Sequence, residues 1–346
     1  MKIKAIVYKA PGQVGVETVE LPPCREDELL CETIYSFVSP GTELRNLSTH
    51  NKTFPCVPGY SWVGRVVEVG RKIKGWSEGE LVSGRPGHAE QCPPGIHLLY
   101  GGHASHHRCK LNDCAPARLP VNANPWEYVT AEVAAISWHG VSIAYPCAGE
   151  TAVVVGQGIV GAFAAKWLIN HGVRVVVADL DESRLERARG WGATAALSAK
   201  DPDIRERILG YFQNGVDISV EASATIAGAR LASSLLKNTL SMTGYHIPEL
   251  RDNPFKWPRM IYLATYTDTV QTHPAGLVES EGALVFRPVD RRLEDRQMVI
   301  EFIRQGLLPV SDFVKEAFPV EKAHEAYANL REHPGQYSAI AFKWQE

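Results

Sequence analysis

AVVVGQGIVGAFAAKW, residues 152–167, carries Gly156-x-Gly158-x-x-Gly161 between a run of valines and an alanine-rich segment with helical spacing. The pattern alone is weak, because glycines are common; its surroundings give it weight. A second valine run, RVVVAD, ends in Asp179, 21 residues after Gly158, close to the interval of about 20 expected for an acid that binds a ribose. Each part answers a physical need. Gly156 permits a tight turn, Gly158 lets the backbone approach a pyrophosphate, and Gly161 lets helix and strand close on each other. The helix N-terminus then offers unpaired N–H groups and a positive dipole end to the phosphate charge. The candidate cofactor-binding residues are therefore Gly156, Gln157, Gly158, Ile159, Val160, Gly161, Asp179 and Arg184. An Asp179 carboxylate accepts from both ribose hydroxyls and repels a 2′-phosphate, which favours NAD(H); the nearby Arg184 keeps NADP(H) open. The rival reading is a glycine-rich turn in an α/β domain that holds no ligand.

Around this stretch strands alternate with helices. TAVVVG, RVVVAD, AALSA and VDISVEA read as strands, and IVGAFAAKWLINHG, ESRLERARGWG and PDIRERILGYFQ as helices. Continuous Val/Ile runs alternating with amphipathic helices predict a parallel, doubly wound α/β sheet. TAEVAAISWHGVSIAY, 130–145, reads as the helix leading into it. Upstream the chain reads as all-β: short apolar runs at 4–8, 29–35, 63–69, 81–82 and 102–108 are separated by turn signals such as APG, SPGT, VPGY and RPG. Downstream, PELRDNPFKWPRM and TYTDTVQTHPAGLVESEGALVF read as long polar loops. Residues 292–306 and 320–330 read as helices around a short strand, a new pattern of the kind that rejoins the first domain. The expected division is a β domain from 1–130 and 268–346 around a dinucleotide-binding domain at 131–267.

The bulk numbers narrow the function. A chain of 346 residues suits two domains. Its 45% hydrophobic and 22% charged residues are those of an ordinary globular protein. A net charge of −3 gives no electrostatic reason to expect nucleic acid or an anionic membrane as partner. No apolar run approaches the roughly 18 residues of a membrane span, and MKIKAIVYKAPG breaks too early for a signal peptide. The seven scattered cysteines suit free thiols in a reducing cytoplasm.

VPGYSWVGRVVEVG (57–70), GWSEGELV (75–82), GGHASHHRC (101–109), VVVGQGIVG, VDISVEASA and FPVEKAHEAYANL (318–330) follow one another in the order of the medium-chain dehydrogenase/reductase superfamily, which the chain resembles over nearly its whole length. The resemblance implies a GroES-like β domain built from both chain ends and a central Rossmann domain, with the active site in the cleft between them. It also implies a homodimer or homotetramer acting on a small molecule. Zinc-dependent members place Cys in the segment matching FVSPGTEL, where this chain has Ser39 and Pro40, and His-Glu after Pro-Gly, where it has Tyr60 and Ser61. Only Glu132 matches a position at which polyol dehydrogenases place an acidic ligand. The cysteines of the structural-zinc lobe are missing, since 85–101 contains only Cys92. One carboxylate does not hold zinc, so no metal is expected, and the chain is similar to a zinc-free branch that includes bacteriochlorophyllide hydroxyethyl dehydrogenases. The cluster His88, Cys92, His97, His103, His106, His107, Cys109 and Cys114 lacks finger or ribbon spacing. On one strand, His103, Ser105, His107 and Cys109 would share a face. They read as polar strand residues rather than ligands.

Without a metal, hydrogen-bond donors and an acid/base have to handle the charge left on an alcohol oxygen by hydride loss. Tyr60 leads, because the resemblance puts it where a side chain would reach the absent metal; filling the space of a histidine is its alternative role. Ser39 and Thr42 are candidate relay hydroxyls or turn formers. Glu132 and His139 lie on one helical stretch, either as an acid/base pair or as a helix-start charge and a core histidine. The expected activity is NAD(H)-linked interconversion of a secondary alcohol and a ketone on a sugar, cyclitol or aminocyclitol. An NADPH-dependent enone or quinone reductase, a tetrapyrrole alcohol dehydrogenase and a non-catalytic dinucleotide-binding protein are the alternatives.

Overall fold

The computed structural model describes residues 1–49, 53–85, 95–98, 101–111, 115–237, 257–266, 283–288, 292–333 and 337–345. The chain divides into two units, one of Met1–Ala135 with Arg291–Glu346 and one of Ile136–Asp290.

In the second unit β10 (Thr151–Val155), β11 (Arg174–Asp179), β12 (Ala195–Ser198), β13 (Ile218–Glu221), β14 (Arg259–Tyr262) and β15 (Leu284–Phe286) form one sheet in the order β12-β11-β10-β13-β14-β15. Every pairing is parallel. The order reverses beside β10, and ligands of open α/β sheets bind outside the carboxyl ends of the strands at such a switch. β10 is buried at all five positions, which is why its sequence is a continuous Val run rather than an alternation. α3 (Ile159–Asn170), α4 (Glu182–Gly190), α5 (Ile204–Tyr211) and α6 (Ile226–Ser234) connect the strands. β14 and β15 fall in stretches that read as loop. They are only four and three residues long, and so short a parallel strand shows no period. An expected boundary after 267 leaves out β15, which the structure pairs with β14. The TLSMTGYH stretch and most of the polar loops lie outside the described residues.

The first unit holds β1 (Lys2–Ala10), β2 (Gln13–Glu20), β3 (Glu28–Val38), β4 (Cys56–Val57), β5 (Trp62–Val69), β6 (Leu81–Gly84), β7 (His97–Leu98), β8 (His106–Lys110) and β9 (Ala117–Arg118), with β16 (Ala317–Pro319) and β17 (Ile340–Lys343) from the C-terminal part. β2-β1-β4-β7 make one sheet; β16-β17-β3-β5-β6-β9 make a second, with β8 also paired to β3. The C-terminal strand β17 is antiparallel to β3, so both chain ends build this unit. Ile6, Tyr8, Val38, Val320, Tyr327, Ile340 and Phe342 share its core.

This unit is not all-β. α1 (Pro40–Ser48) begins inside SPGTEL, with Ser39 as N-cap and Pro at its start. Ser-Pro in that position is a helix-start signal, overshadowed by the turn reading of the same residues. α2 (Ala131–Ser142), α7 (Leu293–Arg304) and α8 (Ala323–Glu332) complete the described α-helices. None of these is long and apolar enough to cross a membrane.

Candidate active site

The second unit presents the glycine-rich turn at the carboxyl end of β10. Gly156 has φ +93°, and a Cβ there would lie 2.6 Å from Ser223 N. A Cβ on Gly161 would lie 2.0 Å from Gly156 O. Both glycines are therefore demanded by backbone packing within the fold. Gly158, the N-cap of α3, differs: among the described residues an added Cβ meets nothing within 4 Å, so its lack of a side chain leaves space in front of the helix N-terminus. The first N–H groups of a helix have no partner inside it, and these point at a ligand that brings negative charge.

Asp179 ends β11 almost fully buried. Its Oδ2 accepts from Gln157 N at 2.5 Å and its Oδ1 from Asp181 N at 2.9 Å. Arg184 Nη1 lies 3.6 Å from Oδ2. Arg187 donates to Gln157 O at 2.7 Å, so the same loop is braced from α4. Ile159 is buried, Val160 is half-buried, and the Val160 carbonyl accepts from Ser137 Oγ at 2.8 Å. On the other side of the turn, Glu221 at the end of β13 accepts from Ser223 N at 2.7 Å, from Ala224 N at 3.1 Å and from the Tyr266 hydroxyl. Burial and the Glu221 charge push the Tyr266 phenol up, which keeps it a donor. Glu221 thus fixes the loop that Gly156 packs against. His139 is half-buried in α2.

In the first unit, Gly59 turns the chain with φ +87° and Tyr60 follows it, 8% exposed. Ser61 Oγ donates to Val129 O at 3.0 Å, so that hydroxyl anchors the start of the 130–145 segment. Ser39 is buried and leaves the capping of α1 to other groups; Thr42 is half-buried in the first turn. Glu132 stands in the first turn of α2. It is fully buried, and Arg296 of α7 donates to its Oε1 at 3.2 Å.

The histidine cluster separates on inspection. β8 starts only at His106, so His103 precedes the strand and shares no strand face with His107. His103 is buried against Glu43 and Ser36. His107 stacks on Trp62 with ring centroids 4.3 Å apart. His88, Cys92 and Cys114 lie outside the described residues. Among the described residues no group of three or more His, Cys, Asp and Glu side chains could hold a metal. Zinc takes thiolate, imidazole and carboxylate ligands. Ser39, Pro40, Tyr60 and Ser61 supply none of these at the positions the resemblance marks, so the donor set there does not fit the ion.

Glu43, Arg187, Glu221 and Arg296 were not legible as site residues. Glu43 was the most accessible of them, because a helix capped at Ser39 would have put an acid in its first turn.

Residues 10–118 match the family described as "Alcohol dehydrogenase GroES-like domain" and residues 160–263 the one described as "Zinc-binding dehydrogenase". The L-threonine 3-dehydrogenase of Streptomyces coelicolor is 32% identical over 231 residues, covering 60% of this chain and 64% of that protein. Two solved structures share the fold over 99% of this chain. A putative zinc-binding dehydrogenase from Sinorhizobium meliloti bound to NADP has a TM-score of 0.80 at 19% identity, with 100% of that chain covered. A protein of Escherichia coli CFT073 described as a short chain alcohol dehydrogenase, complexed with NADH, has a TM-score of 0.80 at 17% identity, with 99% covered. One family match falls in each structural unit, and the chain belongs to the medium-chain dehydrogenase/reductase superfamily, as an oxidoreductase acting on CH–OH groups.

Proposed function

We propose that this oxidoreductase works without zinc and interconverts a secondary alcohol and a ketone on a polar substrate such as a sugar, cyclitol or aminocyclitol, with NAD(H) as cofactor and Tyr60 as hydrogen-bond donor. The observation that carries the choice of Tyr60 is the Glu132–Arg296 pair. Proton uptake by Glu132 would leave a buried guanidinium without its counter-charge, a costly state, so Glu132 is the weaker candidate for the acid/base. Tyr60 sits in the turn after Gly59 and its phenol can donate to an alkoxide or return a proton to it. Ser39 and Thr42, at the start of α1, are the hydroxyls available as a relay.

The space in front of Gly158 and the N-terminus of α3 fit the pyrophosphate of a nicotinamide dinucleotide, and Asp179 fits its ribose. When bound, the cofactor supplies the hydride acceptor or donor. A specific contact favours a second reading, NADP(H): Arg184 stands beside the Asp179 carboxylate, where it could meet a 2′-phosphate. Cys24, Cys31, Cys56, Cys109 and Cys147 are in no disulfide among the described residues, which fits a reducing cytoplasm. β15, at the end of the sheet order with Val285 exposed, is the edge that a homodimer or homotetramer would use.

The test is a panel of polyols and their ketones assayed with both cofactors, followed by Tyr60→Phe on the best substrate. Loss of the phenol oxygen should lower kcat on the order of 100-fold with cofactor affinity unchanged. Full activity in Tyr60→Phe rejects Tyr60 as the donor. Elemental analysis should find well under one zinc per chain; one tightly held zinc, removed by chelators together with activity, rejects the metal-free mechanism.

A further inference from the structure

We infer that Glu43 and His103 are a positioning pair that ties together the two turns of the first unit that carry Ser39, Thr42 and Tyr60, holding Tyr60 in place from behind. This rests on the reading of Tyr60 as the donor. His103 Nε2 meets Glu43 Oε2 at 3.0 Å, and His103 Nδ1 meets Ser36 Oγ at 2.8 Å. None of the three side chains is more than 1% exposed.

One end of the tie is the start of α1. Glu43 Oε1 accepts from Ser39 N at 3.1 Å, so the carboxylate closes the turn that carries Ser39 and Thr42. The other end is the turn before Tyr60. The His103 ring lies so close over Gly59 that a Cβ there would come within 2.6 Å of its Cγ and Cδ2. Backbone bonds hold the two segments together: Gly101 N to Val57 O, His103 N to Pro58 O and Gly102 N to Gly59 O. A displaced imidazole therefore displaces Gly59, and Tyr60 with it.

The carboxylate oxygen of Glu43 is an acceptor, so His103 Nε2–H donates to it. Trp344 Nε1 can only donate, and it donates to Ser36 Oγ at 2.8 Å, the oxygen that also faces His103 Nδ1. Glu43 Oε2 also accepts from Tyr327 OH at 2.5 Å and, more loosely, from Tyr8 OH at 3.4 Å. Burial first, and then the Glu43 charge, push both phenols well above their ordinary range, so both remain donors. The partners come from β1, β3, α1, α8 and the residue after β17. A buried carboxylate is weak evidence for stability, since an apolar cluster of the same volume packs as well. A fully satisfied polar network does fix one arrangement of its members, and here those members back the two turns that bear Ser39, Thr42 and Tyr60.

His103→Phe keeps a ring against Gly59 and Phe342 and removes both hydrogen bonds; His103→Gln restores a donor within reach of Glu43. His103→Phe should lower kcat on the order of 10- to 100-fold, with KM and cofactor Kd within about twofold, and His103→Gln should recover most of the loss. Tyr60→Phe should cost clearly less in the His103→Phe background than in the wild type. Glu43→Gln should speed amide exchange at Ser39, Gly59 and Tyr60 while the second unit stays protected. Unchanged kcat in folded His103→Phe, or a full Tyr60→Phe loss in both backgrounds, overturns the proposal. If His103→Phe does not fold, the Gln variants decide by the same kcat and exchange measurements. A harmless Tyr60→Phe in the wild type rejects Tyr60 as donor; unchanged exchange at both turns in Glu43→Gln rejects the tie.

Discussion

The Glu132 carboxylate and the Arg296 guanidinium meet at 3.2 Å with neither side chain exposed. Removing one charge of such a pair leaves the other buried and uncompensated, which costs about 3–5 kcal/mol. Arg296 Nε and Nη2 find no acceptor among the described residues, so the pair is not a saturated network. Glu132→Gln should therefore lower the unfolding free energy by several kcal/mol, and Glu132→Gln/Arg296→Met should recover much of it. If the double variant is stable and its kcat stays within a few-fold of wild type, Glu132 is structural. A collapse of kcat in a stable double variant moves the acid/base role to Glu132, with His139 as its relay. Denaturant titration and steady-state kinetics on the same preparations separate the two.

Gly158 and Gly161 belong to one motif, yet substitution should act on them differently. Alanine at 161 drives a Cβ to 2.0 Å from a backbone oxygen, so Gly161→Ala should lower both stability and cofactor affinity. Alanine at 158 meets nothing among the described residues. Gly158→Ala should leave Tm nearly unchanged and weaken cofactor binding at least tenfold, because the new methyl occupies the space a pyrophosphate would take. Equal affinity in Gly158→Ala and wild type would remove the cofactor from that space. Thermal melts with and without cofactor read both effects.

What the sequence made legible follows the strength of its local signals. β10 and β11 are continuous valine runs because both faces are covered, and Gly156 and Gly161 answer steric demands that the structure shows directly. β2 and α1 were missed for opposite reasons. β2 has eight partners in β1 but few bulky residues, and α1 hides its start in a proline-glycine turn. Glu43 and His103 are 60 residues apart in sequence, and Glu132 and Arg296 are 164 apart. No periodicity links such residues; the folding of the N-terminal segment brings the first pair together, and the joining of the two chain segments into one unit the second.

His107 gives the protein an acid-sensitive core. Burial, and then the neighbouring His106 and His103, push its imidazole down to about 3, and its Nε2 finds no acceptor among the described residues. In the unfolded chain the ring titrates near 6.5, so between those values the unfolded state binds the extra proton. The contribution is fully present above about pH 6.5 and is lost as pH falls towards 3, by about 2 kcal/mol already at pH 5. His107→Phe keeps the stack on Trp62 and has nothing to protonate. Urea unfolding at pH 5 and pH 8 should show a smaller loss of stability for the variant than for wild type; parallel losses would assign the acid sensitivity to other groups.

Asp179 has two tasks in this structure, and they predict a particular pattern of affinities. Its oxygens hold Gln157 N and Asp181 N, which shapes the glycine-rich turn for either cofactor. Its charge also opposes a 2′-phosphate, since bringing two anions together in a buried place is costly. Asp179→Ala should therefore weaken NADH strongly and NADPH less, moving the ratio of dissociation constants by at least tenfold, about 1.4 kcal/mol, towards NADPH. Arg184→Ala should act in the other direction. The guanidinium 3.6 Å from Asp179 is the positive group placed to meet a phosphate, and its loss should weaken NADPH more than NADH. Fluorescence titration of the wild type and both variants with each reduced cofactor measures all six constants. A wild type that binds NADPH tenfold more tightly than NADH would make Arg184, rather than Asp179, the residue that sets cofactor choice.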